Sequence, residues 1–193
     1  YIKATGSKLK VEVVSADHQN KPDIGSNVAR QWYDTDKVDM IADVPTSSVG
    51  LAIAQITKEK NKVHVNTGSA TADLSGKSCN ANTVHWLYDT WMLANGTGKA
   101  IVKNGGNTWF FLTADYAFGL ANAGGDTINS IKQAAEFGIV KGGQNLAGML
   151  VFLPDVHALG LDKAQGLLLT ETFYWDLNDN TRAWSKRFAA AHG

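Results

Sequence analysis

The sequence predicts an α/β fold with a mainly parallel sheet, and three observations lead there. Short apolar runs of strand length alternate with amphipathic helical stretches along most of the 193 residues, the order that strand–helix–strand units produce. Loops after several of these runs are rich in Ser, Thr and Gly, as suits the carboxyl ends of strands in an open sheet, where ligands bind. A composition of 44% hydrophobic and 19% charged residues is ordinary for a chain that buries a core.

Residues 10–16 read as the first strand from their alternating valines. Asn-Lys-Pro-Asp at 20–23 then starts a helix, because Pro suits a first turn whose amides lack partners anyway. That helix carries Val28, Trp32 and Tyr33 to about Asp34. Residues 38–42 form the next strand, 44–48 its loop, and 49–58 a helix with Leu51, Ile53, Ala54 and Ile56 for its buried side. A strand at 62–66 runs into the polar loop Thr-Gly-Ser-Ala-Thr at 67–71. Residues 83–94 read as a helix, continued or restarted at 99–103 after Asn-Gly-Thr-Gly. A buried strand at 108–114 leads into a loop with Asp115, Tyr116 and Phe118. The helix at 126–137 gathers Ile128, Ile131, Ala134 and Ala135 on one face. Strands at 147–153 and 166–170 and a helix at 178–191, with Trp184 and Phe188, complete the pattern.

One junction breaks it. Residues 120–123, Leu-Ala-Asn-Ala, also read as a strand end emptying into Gly-Gly-Asp and a helix. Parallel strands need a crossover of about a dozen residues or more, and only a few separate this run from the strand before it. The reading adopted is that a strand–helix segment is absent between Gly119 and Leu120.

Charge and motifs exclude several functions. With 18 basic and 18 acidic residues and no run of either sign, the chain lacks the basic footprint of nucleic-acid binding. Cys79 is the single cysteine and reads as a small buried hydrophobe. The five histidines show no metal-ligand spacing. Trp86 and Tyr88 read as helix-packing aromatics. No nucleophile elbow or triad stands out, so catalysis is the weaker reading and no cofactor is expected. The Gly124-Gly125 turn lacks a dinucleotide or Walker pattern.

Four segments together, Ala-Asp-Val-Pro-Thr-Ser-Ser at 42–48, Asn-Thr-Gly-Ser-Ala-Thr at 66–71, Ala-Asp-Tyr-Ala-Phe-Gly at 114–119 and Leu-Pro-Asp at 153–155, resemble the periplasmic solute-binding proteins of ABC importers. The closest group is the type I, branched-chain-amino-acid-binding family. The resemblance implies a two-lobed fold with mainly parallel sheets, a first lobe at 1–119 and a second at 120–193, closing on a small ligand. It also implies an incomplete pattern, with segments missing before residue 10, at 119/120 and after the last helix. By the family's pattern, Thr46, Ser47 and Ser48 hold a ligand carboxylate, and Ser69, Ala70 and Thr71 serve the same ligand end. Tyr116 and Phe118 sit where the family places an aromatic, and Asp155 resembles the acid that pairs with a ligand ammonium. No aromatic stands near Ala123 and Gly124, where amino-acid binders can carry one, which leaves room for a larger or aromatic carboxylate.

The function expected on this footing is an extracytoplasmic, periplasmic receptor. It captures a small organic carboxylate or amino acid and delivers it to a membrane ABC permease, without nucleic acid as a partner. A flavodoxin-like or Rossmann-like enzyme or nucleotide-binding domain is the alternative. A ligand-sensing regulatory domain on the same fold is the third reading.

Overall fold

The computed structural model of the protein describes residues 6–110 and 124–192. The chain forms two compact units. One takes the chain up to Ser69 together with Asp73–Trp86; the other takes Ala70–Ala72 and the chain from Leu87 onward.

The first unit is built on a three-stranded parallel sheet of β1 (Met40–Ala42), β2 (Val63–Asn66) and β3 (Thr83–His85), in that order. Ile41 pairs with His64, and Val65 with Val84. Helix α1 (Pro22–Asp34) begins on Pro22, as expected, and buries Gly25, Ala29 and Tyr33 along one stripe. Helix α2 (Ser47–Glu59) buries Val49, Ile53 and Ile56 against Ala29, Tyr33, Ile41 and Val44. The helices meet closely: a Cβ on Gly25 would lie 2.5 Å from a Val49 methyl. Tyr33 anchors the seam, its hydroxyl 3.0 Å from that of the buried Thr57 and donating to the Val63 carbonyl at 3.2 Å. Burial pushes the Tyr33 phenol pKa up, against the lowering pull of its Thr57 hydrogen bond.

The second unit contains a two-stranded parallel sheet of β4 (Leu146–Gly148) and β5 (Leu167–Leu169). Helix α3 (Thr90–Leu93) runs through a π-helical turn, Ala94–Gly98, into α4 (Lys99–Lys103). Thr97, buried in that turn, bonds Thr170 just past β5, hydroxyl to hydroxyl at 2.6 Å. Helix α5 (Gly124–Glu136) buries Ile131 with Val151 and with Leu159 of α6 (Leu153–Leu159). Helix α7 (Asp179–His192) carries Trp184 stacked on Phe188, ring centroids 5.2 Å apart.

Several expectations need correction. Residues 10–16 are exposed and form no strand, Val13 being 84% exposed; alternation alone makes no strand without a partner for its amides. Residues 83–85 are strand, not helix: Val84 takes its place beside Val65, and the helix waits for Asp89, whose carboxylate accepts the Met92 amide at 2.8 Å. The strand expected at 147–153 stops at Gly148, and Pro154 lies in the first turn of α6. Trp86 and Cys79 are exposed rather than packed, whereas Tyr88 packs on Phe152 at 5.3 Å between ring centroids. The strand expected at 108–114 is not formed at 108–110. Its remainder, the 119/120 junction, Tyr116 and Phe118 lie outside the described residues.

Candidate functional site

The loop between β1 and α2 is held in an uncommon shape. Asp43 and Val44 have φ of +72° and +71°, left-handed backbone that a β-branched residue adopts only under strain. Thr46 follows at the N-cap of α2 with extended backbone. A threonine there ordinarily accepts a first-turn amide through its hydroxyl. This one donates to the Asn20 side-chain oxygen instead, and no side-chain cap forms.

The start of α2 is therefore open. Its first backbone bond runs from the Gly50 amide to the Thr46 carbonyl at 2.8 Å, so the amides of Ser47, Ser48 and Val49 lack helical partners. Among the described residues, neither the Ser47 nor the Ser48 hydroxyl has a hydrogen-bond partner. Unpaired amides at the positive end of a helix dipole favour an anion. The chemistry on offer is neutral hydrogen-bond donation to an anion.

The second hydroxyl loop follows β2 and is organised by Asn66. This side chain is fully buried; its oxygen accepts the Ser69 amide at 2.8 Å and the Gly68 amide at 3.3 Å. Its amide nitrogen donates to the Ser69 hydroxyl at 3.1 Å. The Ser69 hydroxyl, also fully buried, donates to the Val44 carbonyl at 2.6 Å and lies 3.2 Å from that of Thr46. Its one proton is thus directed into the neighbouring loop. Ala70 is buried and its carbonyl accepts the Thr90 amide at 2.8 Å; Thr71 is half-buried.

Two histidines support this loop from below. His85 donates from Nε2 to the Ser69 carbonyl at 2.7 Å. His64 is fully buried, its Nε2 3.3 Å from the Asn66 amide nitrogen. Burial, aided by repulsion from His85, pushes the His64 pKa down from 6.5 to about 4. Its ring is neutral at physiological pH, so it can accept from Asn66 without adding charge.

In the second unit, Asp155 is half-buried and accepts the Phe152 amide at 2.9 Å, at the start of α6. Glu171 accepts the neighbouring Leu153 amide at 2.6 Å. The sequence reading passed over Glu171. Its signal was its place, just past the run 166–170, where a strand's carboxyl end opens.

Comparison with known proteins agrees with this architecture. The pattern of the periplasmic binding protein family matches residues 2–123 and 119–193. The two stretches overlap at 119–123, around the junction read from the sequence. A periplasmic binding protein from Burkholderia mallei is 40% identical over 98% of this chain, with a TM-score of 0.83. A branched-chain amino acid ABC transporter ligand-binding protein from Burkholderia xenovorans is 30% identical over the whole chain, with a TM-score of 0.73. The chain spans 64% and 65% of those two proteins' lengths. An ABC-transporter solute-binding protein from Rhodopseudomonas palustris, solved with 3,4-dihydroxybenzoic acid, is 19% identical over the whole of this chain and 67% of its own. Its TM-score of 0.74 extends the likeness in fold alone. No curated protein sequence matches the chain. These structures share the type I periplasmic-binding-protein fold, and with the family pattern running through both stretches, this chain belongs to the periplasmic binding protein family.

Proposed function

We propose that this chain is an extracytoplasmic, periplasmic solute receptor that binds a small organic carboxylate or amino acid and delivers it to a membrane ABC permease. Its role in this reading is capture, not catalysis. The single observation that supports it most is the uncapped start of α2, where three amides and the Ser47 and Ser48 hydroxyls stand without partners. Such a group suits a carboxylate. Family membership supports the receptor role, and the Burkholderia xenovorans relative is described as a branched-chain amino acid ligand-binding protein.

In this reading Thr46, Ser47 and Ser48 take the ligand carboxylate, with Ser69, Ala70 and Thr71 forming the adjoining wall. Tyr116 and Phe118 supply aromatic surface, and Asp155 is the partner for an ammonium where the ligand has one. Calorimetric titration of the full chain with leucine, phenylalanine and 4-hydroxybenzoate tests the reading. We expect saturable binding of at least one, weakened in Ser47→Ala by about 1.5–3 kcal/mol, the worth of a hydrogen bond to a charged group. An equal affinity in Ser47→Ala would remove that serine from the site; no binding of any probe would remove the ligand class.

A further inference from the structure

The two hydroxyl loops of the first unit press on each other without room to spare. A Cβ on Gly68 would lie 2.7 Å from the Pro45 Cα and from an Asp43 carboxylate oxygen. A Cβ on Gly50, in the first turn of α2, would lie 2.3 Å from the Ser69 hydroxyl oxygen and 3.0 Å from the Asn66 nitrogen. Between these close approaches run the Asn66–Ser69–Val44 hydrogen bonds, at 3.1 and 2.6 Å, all shielded from water. The Ser69 hydroxyl accepts the first and donates the second to the carbonyl of Val44, the residue whose left-handed backbone is hardest to maintain. Strained backbone persists where surrounding contacts over-determine it.

We propose that Asn66 and Ser69 are positioning residues: together they clamp the left-handed Asp43-Val44 turn and so hold the start of α2 open for a ligand carboxylate. The inference rests on the binding reading above and gives Ser69 a different part in it. Its hydroxyl proton is spent on Val44, and the lone pair facing Asn66 is filled, so it acts on the ligand through α2. Asn66 fixes both ends of the short loop, since the same side chain accepts the Gly68 and Ser69 amides and donates to the Ser69 hydroxyl. Ser69→Ala would leave the buried Val44 carbonyl without its close donor, and the turn would relax towards ordinary backbone.

A double-mutant cycle separates this from direct contact with the ligand. Asp43 is exposed, so Asp43→Gly makes the left-handed turn accessible without removing core. The full chain, Ser69→Ala, Asp43→Gly and the double variant would be compared by amide hydrogen exchange without ligand, and by titration with leucine and 4-hydroxybenzoate. We expect Ser69→Ala to speed exchange at Gly50, whose amide bonds the Thr46 carbonyl, by about tenfold, the scale of one lost buried hydrogen bond, while β2 amides hold. Affinity should fall by a similar factor, and by less than about threefold when Asp43→Gly is already present, since coupled sites are not additive. Exchange unchanged at Gly50 in Ser69→Ala overturns the proposal. So does an equal loss of affinity in both backgrounds, which would mark a direct contact. If neither probe binds the unaltered chain, the binding reading fails by itself, and exchange alone then decides whether the clamp exists.

Discussion

Mild acid should weaken the first unit through His64. This ring is fully buried on β2 beside Asn66, and burial, then repulsion from His85, lowers its pKa from 6.5 to about 4. The folded state therefore prefers the neutral ring, while the unfolded chain takes up a proton near the ordinary value. Its stabilising effect is complete above about pH 6.5 and is lost as pH falls from there towards about 4. At 1.36 kcal/mol per pH unit, the fall from 6.5 to about 4 amounts to about 3 kcal/mol in full, of which about 2 kcal/mol is gone by about pH 5. Urea unfolding across about pH 7.5 to 5 would compare the chain with His64→Gln, whose side chain does not titrate. We expect the unaltered chain to lose about 2 kcal/mol more than the variant over that range. Parallel stability curves for the two proteins would refute the assignment of a neutral, protonation-resistant His64.

Two further predictions concern the fold that carries the site. Tyr33→Phe removes the hydroxyl that meets the buried Thr57 and the Val63 carbonyl, and should cost about 1–3 kcal/mol in urea unfolding; a change within error would mean that water replaces the bond. Asp89→Ala removes the cap on α3 and should lower stability by about 1 kcal/mol, with faster hydrogen exchange at Thr90–Leu93; unchanged exchange there would show that the π turn and the Thr97–Thr170 pair hold the helix without it.

The helices were the legible part of the sequence. Helices α1, α2, α5 and α7 are each 13 or 14 residues long, enough turns for an apolar stripe to show its period. Pro22 marked where α1 starts, and the observed start agrees. The short strands were harder, because their identity depends on neighbours far away in sequence. Residues 83–85 become strand beside β2 even though the following Trp, Leu and Tyr suggest a helix. Residues 10–16 have strand-like alternation and form no strand.

At the site, residue type was readable and side-chain direction was not. The sequence marked 46–48 and 69–71 as hydroxyl loops, and the structure shows Ser47 and Ser48 beside unpaired amides. It could not show that Asn66 turns the Ser69 hydroxyl inward, because that depends on a buried strand-end side chain and on the carbonyl of a left-handed Val44. Glu171 was missed for a related reason: its partner, the Leu153 amide, lies 18 residues away.

Two-dimensional amide NMR of the isotope-labelled chain, titrated with leucine and with 4-hydroxybenzoate, shows whether the uncapped start of α2 receives a carboxylate. The ligand that binds should shift the Ser47, Ser48 and Val49 amides most strongly within the first unit, with smaller changes at Gly68 and Ser69. Saturable shifts that leave residues 46–49 unmoved, or no shift with either ligand, would contradict carboxylate binding there.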